Sequence, residues 1–232
     1  MSATRFYFPA EGSGTPNISP AFDAGWEQTG QATRLKLLLK NTLSTRSTIA
    51  DNSTRTVPIT TTQDILCNQF VSDPIPPQRI DTSVLFSAVI RVFESATTAN
   101  VTLAVVCKIV DAAGTARGTL FSTFNTGTEW PLTASAATRI VSQTAVTALT
   151  TQVGDRIVVE IGGHAAAPTA ATTYTMRQGN SAASNFALTA ALTTNLNPWC
   201  EFSDDLFAMD NNNYRTSIRN PINGGFMSDN LR

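Results

Sequence analysis

The sequence is poor in reactive side chains. Its 232 residues include one histidine, His164, and only 14% are charged. Lysine is nearly missing: Lys36, Lys40 and Lys108 are the full set. The formal net charge is −1, and no basic block is present to engage a phosphate backbone. Nucleic acid is therefore not an expected partner. The three cysteines, Cys67, Cys107 and Cys200, are odd in number and irregularly spaced, so they do not make a disulfide framework. Each lies in an apolar run and is expected to be a small buried hydrophobe in a protein made in a reducing cytoplasm. No stretch of 18 apolar residues occurs, and Met1–Pro9 lacks the apolar region of a secretion signal. Neither a membrane span nor export is expected.

Catalytic and metal-binding patterns are equally scarce. There is no Gly-x-Ser-x-Gly elbow and no glycine-rich loop running into Lys-Ser/Thr. His164 could act as a general base or metal ligand, but it has no second histidine for zinc, and a loop position accounts for it. Asp204-Asp205 and Asp210-Asn-Asn-Asn213 could offer oxygen ligands to calcium, without matching an EF-hand; polar turns explain them as well. The six glutamates form no recognisable acid–base pair. No catalytic residue, metal or cofactor is expected. Asn17, Asn52 and Asn100 open glycosylation-type triplets, which without export reflect only Asn and Thr richness.

What the chain has in abundance is threonine and alanine, 35 and 29 residues. Threonine favours strands. The strongest strand signal is Asp81–Glu94, with Val84, Phe86, Ala88, Ile90 and Val92 on one face, followed by alternation through Val101–Val110. The polar stretch Ser95–Asn100 between them suggests one long antiparallel hairpin. Further strands are expected at Arg34–Leu43, Thr56–Thr62, Ile65–Val71, Thr119–Phe124, Arg139–Val141, Ala145–Leu149, Arg156–Ile161, Thr172–Arg177, Phe186–Leu192 and Trp199–Phe202. Val153-Gly-Asp155 is a turn, and Gly162–Thr169 a loop. Short strands at this spacing predict an all-β fold: an antiparallel, jelly-roll-like β-sandwich with extended N- and C-terminal arms.

Four regions follow. Residues 1–34 read as an extended arm, punctuated by Pro9, Pro16 and Pro20. Residues 35–80 hold early strands and a Pro-rich connection. Residues 81–210 form the sandwich body, and 211–232 a C-terminal arm. Phe6, Tyr7, Phe8, Phe22 and Trp26 are expected to anchor the first arm to a surface, since disordered linkers rarely carry so many aromatics. Ordering ~20 residues costs on the order of 20–40 kcal/mol, more than a small sandwich readily offsets, so a partner is expected to receive at least one arm. On this reading the sandwich survives removal of Met1–Thr33. Trp130 and Trp199 lie beside loops and could stack on a sugar at a sandwich rim, or plug its ends.

Four segments carry a resemblance. Thr4-Arg-Phe-Tyr-Phe-Pro9 and Ser19-Pro-Ala-Phe-Asp-Ala-Gly-Trp-Glu-Gln-Thr29 resemble the N-terminus of tailed-bacteriophage virion proteins. Val153-Gly-Asp-Arg-Ile-Val-Val-Glu-Ile161 and Asn197-Pro-Trp-Cys-Glu-Phe-Ser203 resemble late strands of a phage jelly-roll protein. The resemblance implies a non-enzymatic virion component made in the host cytoplasm, a capsid cement or decoration protein, with a neck or tail accessory protein as the alternative. It implies other virion proteins as partners, the major capsid protein or neck and tail proteins, and a homo-oligomer. It carries over no site residue. A carbohydrate-binding adhesin module remains the rival from another class.

Overall fold

A computed structural model describes residues 3–9, 14–39, 51–57, 61–126, 128–179, 184–194 and 196–207. These form thirteen strands: β1 (Thr4–Tyr7), β2 (Thr33–Leu39), β3 (Asp51–Val57), β4 (Gln63–Ser72), β5 (Arg79–Ile80), β6 (Leu85–Glu94), β7 (Thr102–Val110), β8 (Ala116–Thr126), β9 (Ala137–Thr144), β10 (Leu149–Thr150), β11 (Arg156–Ala165), β12 (Thr172–Gln178) and β13 (Trp199–Phe202). Single 3-10 turns at Thr97–Ala99 and Thr133–Ser135 are the only helical elements among the described residues. No described helix is long and apolar enough to cross a membrane. The all-β expectation holds.

Eight of the strands pair as a jelly roll. One sheet runs β3-β12-β6-β9 and the other β4-β11-β7-β8. In sequence order these eight strands alternate between the two sheets except at β7 and β8, which follow one another in the same sheet, the double Greek-key manner. The expected β6–β7 hairpin is therefore not present. Asp81–Val110 does contain two strands, but β6 pairs with β9, β12 and β13 while β7 pairs with β8 and β11. Alternation identifies a strand and says nothing about which strand it meets. Each strand finds its neighbours elsewhere, and Ser95–Val101 crosses the end of the sandwich.

The inner faces meet in one core. Phe86, Ala88, Ile90 and Val92 on β6 face Leu103, Val105, Cys107 and Ile109 on β7, with Val159 and Ile161 of β11 and Tyr174 and Met176 of β12. All of these side chains are buried. Burying each large aliphatic or aromatic side chain stabilises by roughly 1.5–3 kcal/mol.

The N-terminal residues do not form a free arm. β1 lies between β13 and β2, with Phe6 opposite Cys200 on one side and Leu39 on the other. β2 joins the two sheets. Thr33–Leu37 runs parallel to β4, while Leu38 and Leu39 pair with β1. The path β6-β13-β1-β2-β4 thereby closes one side of the sandwich, and β8 and β9 border the other. This parallel pair makes the sheet mixed rather than purely antiparallel. Removing Met1–Thr33 would take out an interior strand, so the sandwich is not independent of it. Likewise the Pro-rich stretch at residues 73–78 is no boundary, since β2, β3 and β4 belong to the same network as the later strands. The expected C-terminal arm, 211–232, lies outside the described residues, as does part of the expected strand Thr56–Thr62. Phe186–Leu192 is irregular chain rather than a strand.

Candidate interaction site

Residues 14–32 run across the outer face of the β4-β11-β7 sheet as a third layer. Ile18 packs on Val71, Val110 and Val158. Phe22, Trp26 and Ala32 pack with Phe124 on Leu66, Ala104 and Val106. A carboxylate fastens the layer. Glu160 of β11 is buried, and Lys108 of β7 places its Nζ 2.7 Å from Oε1. Gln69 Nε2 donates to the same oxygen at 2.8 Å. Trp26 Nε1 donates to Oε2 at 2.7 Å, and the Asp23 N–H at 3.0 Å. Lys108 also donates to the Ala21 carbonyl at 2.8 Å. Arg34 donates to Gln69 Oε1 and stacks on the Phe22 ring, Cζ 4.0 Å from its centroid. A buried charge is tolerated only when paired and hydrogen-bonded, and here every donor is aimed at it. Sequence reading missed this group. The signal available was a single charge, Lys108 or Glu160, standing in an otherwise apolar strand.

The five expected anchor aromatics all pin the chain to its own body. Phe6 and Phe8 enter the core; Phe8 meets Phe70 at 4.7 Å and Phe6 meets Phe202 at 6.2 Å between ring centroids. Tyr7 points to the opposite face and packs with Val89, Phe186 and Trp199. Phe22 and Trp26 belong to the outer layer. Residues 4–9 and 14–32 are packed against the molecule's own body, which removes the energetic argument that these residues must find a partner.

Trp130 and Trp199 are 1% and 3% exposed, so neither offers a ring face to a sugar. Trp130 stands edge-on to Tyr174 at 5.0 Å. Trp199 donates from Nε1 to the Phe186 carbonyl, with Arg5 over its ring. Both plug the fold, and the expected rim contact has no support in their placement.

Two further groups carry titratable side chains. His164 lies in β11 rather than in a loop, with Nδ1 2.8 Å from Asp64 Oδ1 on β4. Thr102 is its register partner on β7, and the Thr102 hydroxyl donates to Asn125 rather than waiting on the imidazole. At one end of the sandwich, Glu94 is buried and accepts the Val101 N–H at 3.1 Å. Burial pushes its carboxyl up to about 7; the Val101 N–H opposes this, and the hydrogen bond and charge of Glu129 add to it. Glu94 is thus a carboxylic acid held near its midpoint at neutral pH, built into the closure between residues 94 and 131, where Glu94 N–H donates to Pro131. Asp204 and Asp205 lie in a turn, with Phe207 N–H donating to Asp205. Among the described residues no group of three His, Cys, Asp or Glu side chains could hold a metal ion. All three cysteines are buried, and burial pushes the Cys107 and Cys200 thiols up, away from reactivity.

The outer face of the other sheet is less covered. Residues 184–194 and Leu196 cross its β9–β13 side: Leu192 and Leu196 pack near Val89 and Trp199, and Thr138 binds Leu192 N–H and the Thr189 carbonyl. Beyond that cover the β12 and β6 face carries Thr173, Thr175 and Phe93, with the Thr175 hydroxyl bonded to Thr54. Ile140 of β9 is 38% exposed on the same face. This sheet surface, on which Thr175 itself is buried and Ile140 exposed, is the candidate interaction site.

No family model matches the chain, and no curated protein matches it significantly. Among solved structures, two of a CocE/NonD family hydrolase from Staphylococcus aureus are similar at 10% and 11% identity, with TM-scores of 0.27 and 0.26. The matches cover 89% of this chain and 35% of the hydrolase, so the chain spans about a third of that protein's length.

Proposed function

We propose that the chain is a non-enzymatic structural protein of a tailed-phage virion, acting as a cement or decoration protein on the capsid. The observation that carries this reading is the jelly-roll strand order, an architecture shared by viral shell proteins. It is an argument from architecture, added to the resemblance of four sequence segments to phage virion proteins. The use of charged groups agrees with it. Glu160, Lys108 and Arg55 are all spent on internal fastening. Three buried thiols suit a protein made in a host cytoplasm.

On this reading the body docks through its faces. β1 and residues 14–32 are packed into the fold and are not available to reach a neighbour, so the hydroxyl-bearing β12–β6 face meets the capsid or another copy. Each bound copy stabilises the assembled state by mass action. The test is a cryo-EM map of the intact particle. Density for this fold on the capsid lattice, with that face against the shell, is the expected result. Density at the neck or tail selects the accessory role, and absence from the particle overturns the proposal.

A further inference from the structure

Six large hydrophobic side chains are exposed among the described residues: Leu85, Leu132, Ile140, Val146, Val153 and Leu188. All but Val153 lie on or beside β9. Leu132 precedes the strand, and Val146 stands in the turn after it. Val141 and Phe86 enter the core, so Ile140 and Leu85 leave on the outer face, where Leu85 is opposite the β6–β9 register partner Thr144. Leu188 belongs to the segment laid along β9, where the Thr138 hydroxyl donates to the Thr189 carbonyl at 2.7 Å. Hydrogen bonds hold the chain that carries these side chains. Val146 N–H donates to the Leu120 carbonyl at 2.7 Å, and Ala191 N–H to the Thr138 carbonyl at 2.9 Å. The same surface is nearly free of charge. Between Glu129 and Asp155 the one charged side chain is Arg139, and between Arg177 and Glu201 there is none. Arg139 is itself spent on the Glu129 carbonyl, at 2.9 Å from Nε. Single exposed apolar side chains are ordinary, but a strip of them without charge has the composition of an interface core.

We propose that the β9 side of the sandwich is a self-association surface, covered in solution by the same surface of a second copy. Its length suits the role. The eight residues of β9 run roughly 26 Å, and a standard contact of ~800 Å² a side is about that wide. Charge selects the occupant. A foreign partner is recognised in large part through complementary charge, and this strip offers almost none to read. A second copy meets it with no block of like charges, and a twofold contact is self-complementary by construction. Contacts between identical subunits are also the more apolar class. Because the strip is held in place before contact, association does not have to order it. The strip is the β9 border of the candidate interaction site, and its use between copies leaves the β12–β6 part for the capsid. The self-contact does not rest on the virion reading.

The test is sedimentation equilibrium of the full chain over a range of concentrations. The expected result is a reversible dimer. Ile140→Lys and Val146→Lys each place a charge in the strip of both copies and should weaken the dimer about tenfold or more. Val153→Lys is the control: Val153 is the most exposed of the six, in a turn set against Ala112, and its replacement should leave association unchanged. Circular dichroism and thermal melting show whether each variant keeps the fold. Hydrogen exchange on the unaltered chain gives a second reading that needs no variant: the amides of residues 138–146 should exchange more slowly in concentrated than in dilute solution. A chain that stays monomeric at about 100 μM overturns the proposal and leaves the strip to a different protein. A dimer that all three variants weaken alike, or that none weakens, overturns the surface, as does exchange at 138–146 that ignores concentration. These results are independent of where the chain lies in a particle.

Discussion

The Trp26 indole lies so close over Gly162 of β11 that a Cβ placed on the glycine would stand 2.7 Å from its ring, and would also strike the Ile65 carbonyl. The contact is between the outer layer and the register irregularity at Ile161/Gly162. Gly162→Ala must push the indole away or open the β4–β11 ladder. The expected loss is about 2–4 kcal/mol, at the upper end of overpacking effects. Urea denaturation followed by tryptophan fluorescence measures it, and an unchanged midpoint would show that the layer gives way freely.

The Lys108–Glu160 pair should be strongly coupled. Lys108→Met leaves a buried carboxylate without its cation, at a cost of about 3–5 kcal/mol. The double variant Lys108→Met, Glu160→Gln should recover part of that loss, because the amide still accepts from Trp26 and Asp23. A double-mutant cycle by chemical denaturation reads the coupling. Simple additivity would mean the two charges are solvated in solution.

Stability should fall with rising pH through one identifiable group. Glu94 keeps its proton in the fold up to about pH 7, whereas its ordinary value is 4.5. Between those values the folded chain binds more protons than the unfolded one, so stability declines as pH rises through that window and levels off above it. Glu94→Gln should remove this group's share of the decline. The two proteins should melt together near pH 4, with the variant higher by about 6–12 °C at pH 8. Calorimetry across that range checks it; parallel curves would remove Glu94 from the explanation.

Deleting Met1–Pro9 removes β1, hydrogen-bonded on both edges, together with Phe6 and Phe8 from the core. The truncated chain should lose its cooperative thermal transition and its near-ultraviolet circular dichroism. A sharp transition within a few degrees of the full chain would restore the idea of a dispensable arm.

Much of the fold was legible because strand alternation is local. Val101–Val110 and Arg156–Ile161 announce themselves, and Trp199–Phe202 was placed residue for residue. β1 was not legible: four residues before Pro9 are too short for a periodic signal, and what makes them a strand is a groove between β13 and β2 built far away in sequence. The β6 hairpin failed for the same reason, since partner choice is a property of the whole topology. His164 read as a loop residue because of the two glycines before it, yet Gly162 is there to admit Trp26, not to end the strand. Of the candidate site, Thr54, Thr175 and Phe93 each look like ordinary strand residues until register sets them side by side.

The place of β1 has a consequence for the order of events at synthesis. Arg5 pairs with Glu201, 196 residues away, and Thr4 Oγ1 accepts from Leu206 N–H, 202 residues away. β1 leaves the ribosome long before β13 and must wait for it. At translation rates of about 5–20 residues per second that delay is roughly 10–40 s. Throughout it Phe6 and Phe8 have no core to enter, and the gap between β6 and β2 stands open. Chaperone dependence, and aggregation when synthesis outruns folding, should therefore trace to this one late closure, and a circular permutant that makes β1 and β13 neighbours in sequence should fold faster than the natural chain.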